Sequence, residues 1–322
     1  IYADRCRGEG EPVRSVGGLL HEVFWLRATV PIFMSDVSLQ ASLFVMKNIQ
    51  TITSKENTVI RLTHAIVHTQ RRAAKEGLFI VEGLRLAEMA AASDWRIRHA
   101  LVTKRAMTGE RVRVLIDTLV ERSVPVALVT EPLFSSVSQT DTPQGILLVM
   151  ERRKNSLELL HSGVQTVESP LYIALDRVQD PGNVGTILRT SDAVGASGVI
   201  LLRGCADVYG SKVVRAAMGS LFYLPFVTGV DEEDLVRFAK ENVLCFYAAA
   251  CDTDGVTHFA AELSRPSLVV LGNEANGVSE RLLRAGQHLY VPMCGRAESL
   301  NVAAAATAIL YEAIRQRKYA GI

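Results

Sequence analysis

Five short segments in the second half of the chain, apolar almost throughout, constrain its fold most: LYIAL (171–175), GVILL (198–202), VLCFYAAA (243–250), SLVVLG (267–272) and HLYVPM (288–293). A strand that faces water on one side alternates polar and apolar residues, whereas a strand apolar on both sides has to be covered on both. Helix-like stretches separate the five, so the pattern predicts a parallel sheet between two layers of helices. In sheets of this kind ligands bind beyond the carboxyl ends of the strands. Polar clusters fall at three such ends: 176–196, 272–283 and 294–301.

Residues 54–150 alternate in the same way on a smaller scale. A helix is predicted over Ser54–Gln70, with Val59, Ile60, Leu62, Ile66 and Val67 on its apolar side. Strands follow at 78–81, 97–103, 124–129 and 146–150, with helices at 84–92 and 111–121 between them. Residues 46–150 are therefore expected to form a separate, smaller α/β domain. Residues 151–169, charged and polar with a weak apolar centre, read as a linker, and residues 170–322 form the second domain. In residues 1–45 glycine, proline and single charges break any period, and Arg27 interrupts Phe24–Leu26 before a signal-peptide core can form. The folded protein is expected to begin near Met46, with residues 1–45 an extension, disordered or not native.

Composition narrows the function classes. Among 322 residues no apolar run reaches the roughly 18 residues of a membrane span. The five cysteines are scattered without a CxxC pair, which predicts reduced, buried thiols in a cytoplasmic protein. His64 and His68 are four apart, but no nearby Cys, Asp or Glu completes a ligand set, so no metal is expected. Residues 46–150 carry 14 Lys and Arg against 10 Asp and Glu, and residues 151–322 carry 17 against 19, which places the basic surface in the first domain. That suits a polyanion partner. Arg71, Arg72, Lys75 and Arg85 are the candidate contacts to it, although cations near a helix end also complement its dipole.

The three clusters hold the candidate chemistry. In the first, Asp180-Pro181-Gly182-Asn183 is turn chemistry, Gly185 is expected to open a helix, and Arg189 lies one turn further on, able to point back toward the loop. Neither GxGxxG nor GxxxxGK[ST] is present, which removes the support for a dinucleotide fold and an NAD-dependent oxidoreductase. In the second, Gly272 allows close backbone approach, Asn276-Gly277 makes a tight turn, and Ser279 can cap a helix. Glu274 sits inside that turn and needs a donor, for which Arg189 and Asn301 are the candidates. The third crowds Arg296, Glu298, Ser299 and Asn301 between a strand ending at Pro292 and an alanine-rich helix, both expected to be buried. Ala303, Ala304, Ala305, Ala306 and Ala308 would let that helix pack closely on its own sheet or a partner subunit, though alanine's helix propensity alone explains most of the run.

Three stretches, NVGTILRT (183–190), LGNEANGVS (271–279) and VPMCGRAESLNVAAAA (291–306), resemble in order the motifs of the SpoU/TrmH family of RNA ribose 2′-O-methyltransferases. ITSKEN (52–57), GLFIVEGLRL (77–86) and TPQGILLV (142–149) resemble that family's substrate-binding domain. The resemblance implies a knotted (trefoil) SPOUT methyltransferase domain, a homodimer and S-adenosylmethionine as methyl donor. It implies catalytic roles for Asn183, Arg189, Glu274, Ser299 and Asn301, and donor contacts, largely through backbone, at Gly272, Val291, Met293 and Leu300. The expected substrate is structured RNA, foremost ribosomal RNA. Transfer RNA, or a non-catalytic role in RNA binding or ribosome assembly, are the alternatives. The family often casts the arginine as base, but a guanidinium stays protonated. Arg189 is therefore expected to hold the substrate phosphate or a developing alkoxide, with Asn183 and Ser299 orienting the ribose and the donor.

Overall fold

The computed structural model describes residues 49–163, 167–251 and 254–319, so the expectation for residues 1–45 lies outside it. In the first domain β1 (Gln50–Ile52), β2 (Leu78–Glu82), β3 (Ile97–Thr103), β4 (Val126–Val129) and β5 (Ile146–Glu151) form one sheet in the order β1-β4-β3-β5-β2. The sheet is mixed: β5 runs antiparallel to β2 and β3, and the other pairs are parallel. Consecutive residues point to opposite faces. Leu78, Ile80, Leu101, Leu147 and Val149 pack toward the helix Thr58–His68, while Phe79, Val81, Val102 and Leu148 face the helices Leu84–Ala92 and Glu110–Glu121.

The helix predicted over Ser54–Gln70 is two helices. Asn57 caps the first, its side chain accepting from the Val59 N–H at 2.9 Å, so the helix starts at Thr58. Thr69, extended at φ −135°, ends it before Gln70–Glu76 begins on a new axis. The helix Leu84–Ala92 and strand β3 fall where the sequence predicts them.

His99 shows a buried polar group under constraint. The Thr63 hydroxyl donates to Val59 O at 2.8 Å, so the 3.0 Å contact between Thr63 Oγ1 and His99 Nε2 has the ring as donor. Burial, helped by the neighbouring Arg98, pushes the His99 pKa down to about 4. The unfolded chain therefore binds more protons between about pH 6.5 and 4, and stability present above that window drains away as pH falls through it. Wild type is expected to lose at most about 3 kcal/mol from this group, and His99→Asn to flatten that part of the curve. Thermal melts from pH 7 to 4 test this, and an unchanged acid slope in the variant counts against it.

In the second domain β6 (Leu171–Asp176), β7 (Gly198–Leu202), β8 (Phe226–Val230), β9 (Cys245–Ala249), β10 (Val256–Thr257), β11 (Ser267–Gly272) and β12 (Gln287–Tyr290) lie in the order β10-β12-β9-β11-β6-β7-β8. Every paired neighbour is parallel, as the apolar strands predict. Alternate residues feed two cores. Tyr172, Ala174, Ile200 and Val270 meet Leu160, Leu235, Phe238 and Leu282 on one face, while Ile173, Leu175, Val199 and Leu271 meet Ile187, Val213 and Ile309 on the other. β8 and β10 are not among the predicted strands, because β8 is broken by exposed Thr228 and Gly229 and β10 has only two residues. β12 ends at Tyr290 rather than Pro292.

The second core face continues into the first domain. Trp95 is 2% exposed, donates Nε1–H to Phe222 O at 3.1 Å, and sits among the rings of Phe79, Tyr209, Phe222 and Phe226. Within the predicted linker, the helix Leu157–Ser162 buries Leu160 against Gly198, so that stretch packs instead of merely connecting.

The helix Pro181–Ala193 lies between the helices Ser211–Ala216 and Val302–Lys318. It opens at Pro181 and not at Gly185, because Asp180 caps it by accepting from the Asn183 N–H at 2.8 Å. Gly185 serves close packing: a Cβ there would lie 2.4 Å from Ala216 Cβ and 2.9 Å from Val213 O. From the alanine-rich helix Ala303, Ala306, Ile309, Leu310 and Ala313 are buried, while Ala304 faces solvent. The described cysteines are free, but only Cys205 and Cys245 are half-buried. Cys251 and Cys294, expected to be buried, lie just past strand ends and are exposed. No described helix is long and apolar enough to cross a membrane.

Candidate active site

β6 and β11 are neighbours in the sheet, with Asp176 paired to Gly272, so the loops leaving them emerge side by side. Hydrogen bonds stitch them together. Asn273 Nδ2 donates to Arg177 O, and the Ser279 N–H donates to Asp176 Oδ2, both at 2.8 Å. Asp176 is buried and also receives Arg177 Nε at 2.8 Å and Nη2 at 3.0 Å. The second loop closes on itself through paired bonds between Asn273 and Gly277, with Gly277 in the left-handed region at φ +65°. Gly272 lies under that closure, where a Cβ would stand 2.1 Å from Gly277 C and Val278 N.

This frame fixes Glu274. Its Oε2 accepts from the Gln179 N–H at 3.3 Å, and its Oε1 accepts from the Asp180 N–H at 3.2 Å and Asn183 Nδ2 at 2.9 Å. Asn183 Oδ1 accepts from Asn301 Nδ2 at 3.0 Å, and Asn301 Oδ1 caps the last helix by accepting from the Ala303 and Ala304 N–H groups. One polarised chain thus runs from the amides of the last helix through two carboxamides to a carboxylate, and it joins all three sequence clusters. The pairing differs from expectation. Asn183, at the third position of its helix, takes the place proposed for Arg189, and Asn301 reaches Glu274 only through Asn183. Partial burial works to raise the Glu274 pKa, but the Asn183 hydrogen bond and the backbone N–H bonds outweigh it and hold the carboxyl below its usual value.

Asn301 therefore does two separable things. Asn301→Ala is expected to cost about 1 kcal/mol as a lost helix cap and to release Asn183. Asn301→Asp keeps the cap acceptor but removes the donor to Asn183. We expect the alanine variant to lower both the melting temperature and activity, and the aspartate variant to lower activity alone. Equal melting losses in the two would contradict this division.

The other predicted site residues are placed as follows. Arg189 is exposed on the same helix as Asn183 and makes no hydrogen bond or ion pair among the described residues. Arg296, Glu298 and Ser299 were expected between two buried elements with their polar groups paired. Because β12 ends early, the turn projects into solvent, and their side chains are exposed and make no hydrogen bond or ion pair among the described residues. Among the described residues the backbone of Met293–Ser299 likewise makes no hydrogen bond within the chain. Val291 and Met293 are half-buried, and Leu300 is 42% exposed. Free backbone donors and acceptors beside partly open apolar side chains suit a ligand with an apolar body and polar edges.

Of the candidate RNA contacts, Arg71 lines a groove of about 740 Å³ together with Gln179 and Pro181 of the first loop. Arg72 is instead paired with Glu76 at 2.7 Å, one helical turn on. Lys75 and Arg85 are exposed and lie outside that groove. Sequence reasoning missed Asp176 and Asn273, which lock the loops. The signal for Asp176 was its place as the first polar residue after an apolar strand.

Residues 170–311 match the SpoU rRNA methylase family, and residues 57–148 match the MRM3-like substrate-binding domain. The chain is 32% identical over 246 residues to the 23S rRNA guanosine 2′-O-methyltransferase RlmP of Bacillus subtilis, covering 76% of this chain and 92% of that protein. It is 32% identical over 271 residues to a 23S rRNA uridine 2′-O-methyltransferase of Streptomyces viridochromogenes, covering 83% and 92% respectively. Among solved structures, an AdoMet-bound rRNA methyltransferase from Sinorhizobium meliloti matches with a TM-score of 0.73 at 32% identity, over 84% of this chain and 98% of that one.

Proposed function

The chain belongs to the SpoU family of RNA methyltransferases, and from that premise we propose that it methylates a ribose 2′-hydroxyl of ribosomal RNA with S-adenosylmethionine as donor. The observation that carries the site assignment is the Glu274–Asn183–Asn301 hydrogen-bond chain joining the three loops. Six residues beyond Asn183 on the same helix, Arg189 is exposed and has no partner of its own among the described residues. When bound, S-adenosylmethionine supplies the electrophilic methyl group. The open turn Val291–Leu300 and the loop at Gly272 are the residues that would hold it, mainly through backbone.

A 2′-hydroxyl is a weak nucleophile, so the chain's task is to orient it and to stabilise the charge that grows as its proton leaves. Arg189 is free to meet that charge or the adjacent phosphate. Asn183, held on both sides, presents a fixed carboxamide near the loop, and Ser299 orients the donor. Glu274, kept ionised by its N–H donors, holds Asn183 and the first loop in register. Arg71, Lys75 and Arg85 are the RNA contacts of the first domain. Arg72, neutralised by Glu76, contributes less.

The reading includes a homodimer, a knotted second domain and a cytoplasmic place of action. Tyr311 (54% exposed) and Leu300 on or beside the last helix support the first, as apolar surface for a second copy. The packing of Val302–Lys318 across Pro181–Ala193 and β11 supports the second.

The test is methyl transfer from labelled S-adenosylmethionine to unmodified ribosomal RNA, with the product mapped as a 2′-O-methyl nucleotide. Transfer confined to transfer RNA would redirect the substrate. Donor binding without transfer to any RNA would leave a non-catalytic RNA-binding role, and no donor binding would sink the enzyme reading.

A further inference from the structure

We propose that the groove between the helix Gln70–Glu76 and the segment 205–213 carries the RNA phosphates next to the methylated ribose, with Arg71 and Lys212 as its cationic contacts. This rests on the RNA-methyltransferase reading above. The groove has walls from both domains. Gln70 and Arg71 line it from the first, and Lys212 from the second. The walls come close at its edge, where a Cβ on Gly210 would lie 3.8 Å from Gln70 Nε2. Gln179 and Pro181, the neighbours of Asp180, are among its lining residues. The N–H groups of Gln179 and Asp180 are the ones that Glu274 holds, so the groove borders the candidate active site.

Its charge fits a phosphodiester. Asp207 is the one carboxylate among the lining residues, and it is already neutralised. Arg152 Nη2 meets Asp207 Oδ2 at 3.0 Å, Nη1 meets Oδ1 at 3.4 Å, and the Tyr209 N–H adds a third bond at 3.0 Å. Arg71 and Lys212 are both exposed and make no ion pair among the described residues. The groove is therefore net positive.

It is also rigid. Arg152 lies over the Tyr209 ring at 4.7 Å, and Tyr209 Oη donates to Arg153 O at 2.9 Å and accepts from its N–H at 3.0 Å, tying the second-domain wall to the end of β5. A preformed positive channel that borders a site needing an accessible 2′-hydroxyl suits an unpaired strand, whose backbone such grooves track without reading sequence. Lys212 thereby becomes an RNA-positioning residue contributed by the catalytic domain, and Arg71, not its neighbour Arg72, is its counterpart.

The experiment measures binding of unmodified large-subunit ribosomal RNA to the full chain across a salt series, alongside steady-state methyl transfer. Arg71→Ala and Lys212→Ala are each expected to weaken binding about three- to tenfold and to reduce the slope of log K against log salt by about 0.7, the share of one single-strand phosphate contact. The loss should fall on KM for RNA more than on kcat, while donor affinity stays at the wild-type value. Lys212→Arg should restore most of the binding, and Arg72→Ala, whose charge is already paired with Glu76, should lower the slope by less than either alanine variant. A double Arg71→Ala, Lys212→Ala variant that keeps wild-type affinity and slope, in a protein that methylates the same RNA, overturns the groove assignment. Failure of the wild type to methylate any RNA overturns the underlying reading instead, and is seen before any variant is made.

Discussion

Arg189→Ala is expected to lower the rate of methyl transfer about 100- to 1000-fold, the usual effect of removing one preorganised group that meets developing charge. The same variant should bind S-adenosylmethionine and melt as the wild type does. The reason is the side chain's freedom: exposed on the helix Pro181–Ala193, it makes no hydrogen bond or ion pair among the described residues, so its removal leaves no buried group unpaired. Arg189→Lys keeps the charge but loses the planar fork of donors, and should recover only part of the rate. Single-turnover transfer measured beside calorimetric donor binding separates these cases. An alanine variant that turns over within threefold of wild type would remove Arg189 from the chemistry.

Gly272→Ala is expected to fail differently, losing donor binding, methyl transfer and stability together. The added Cβ would meet backbone atoms of Gly277 and Val278 at 2.1 Å, and backbone cannot swing aside as a long side chain can. The loop has to move, and with it Asn273, which is bonded to Arg177 O, and Glu274, which holds Gln179, Asp180 and Asn183. Overpacking of this kind costs about 1–3 kcal/mol, and a displacement of roughly 1 Å at reacting groups costs about a hundredfold in rate. Gly277→Ala is the control. Its Cβ would meet nothing within 4 Å, so only the left-handed backbone at φ +65° is strained, and its effect should be the smaller. Equal losses in the two variants would argue against the closure over Gly272.

Much of the second domain was legible because its strands are apolar on both faces. The strands β7 and β11 fall where GVILL and SLVVLG were read, and β6 extends LYIAL by one residue to Asp176. β1, β8 and β10 left weaker marks: three residues, five with exposed Thr228 and Gly229, and two. Their pairing comes from neighbours in the sheet, which no local pattern encodes. Trp95 carried no signal either, since three of the four rings it packs on, Tyr209, Phe222 and Phe226, lie more than a hundred positions away.

The candidate site divides the same way. Asn183, Glu274 and Asn301 stood out as residue types at strand ends, and the family resemblance named their roles. Which of them touch did not follow. Glu274 was expected to pair with Arg189 or Asn301, yet three neutral donors meet it directly: the N–H groups of Gln179 and Asp180 and the Asn183 carboxamide. The turn 294–299 was expected to be enclosed, and it is open because β12 stops at Tyr290.

By itself the sequence determined the kind of protein: a parallel α/β sheet from the period of its apolar residues, and a polar site at its carboxyl edge. Those are properties of short stretches, set by which side chains tolerate water. The tertiary structure alone decided the partners. Register between β6 and β11 brings Glu274 to Asn183, capping of the last helix by Asn301 brings the third loop to the first, and the Asp207–Arg152 pair leaves the groove beside them positive. Such contacts depend on distance in space between residues far apart in the chain, and a hydrogen bond is sensitive to errors well below the width of one residue.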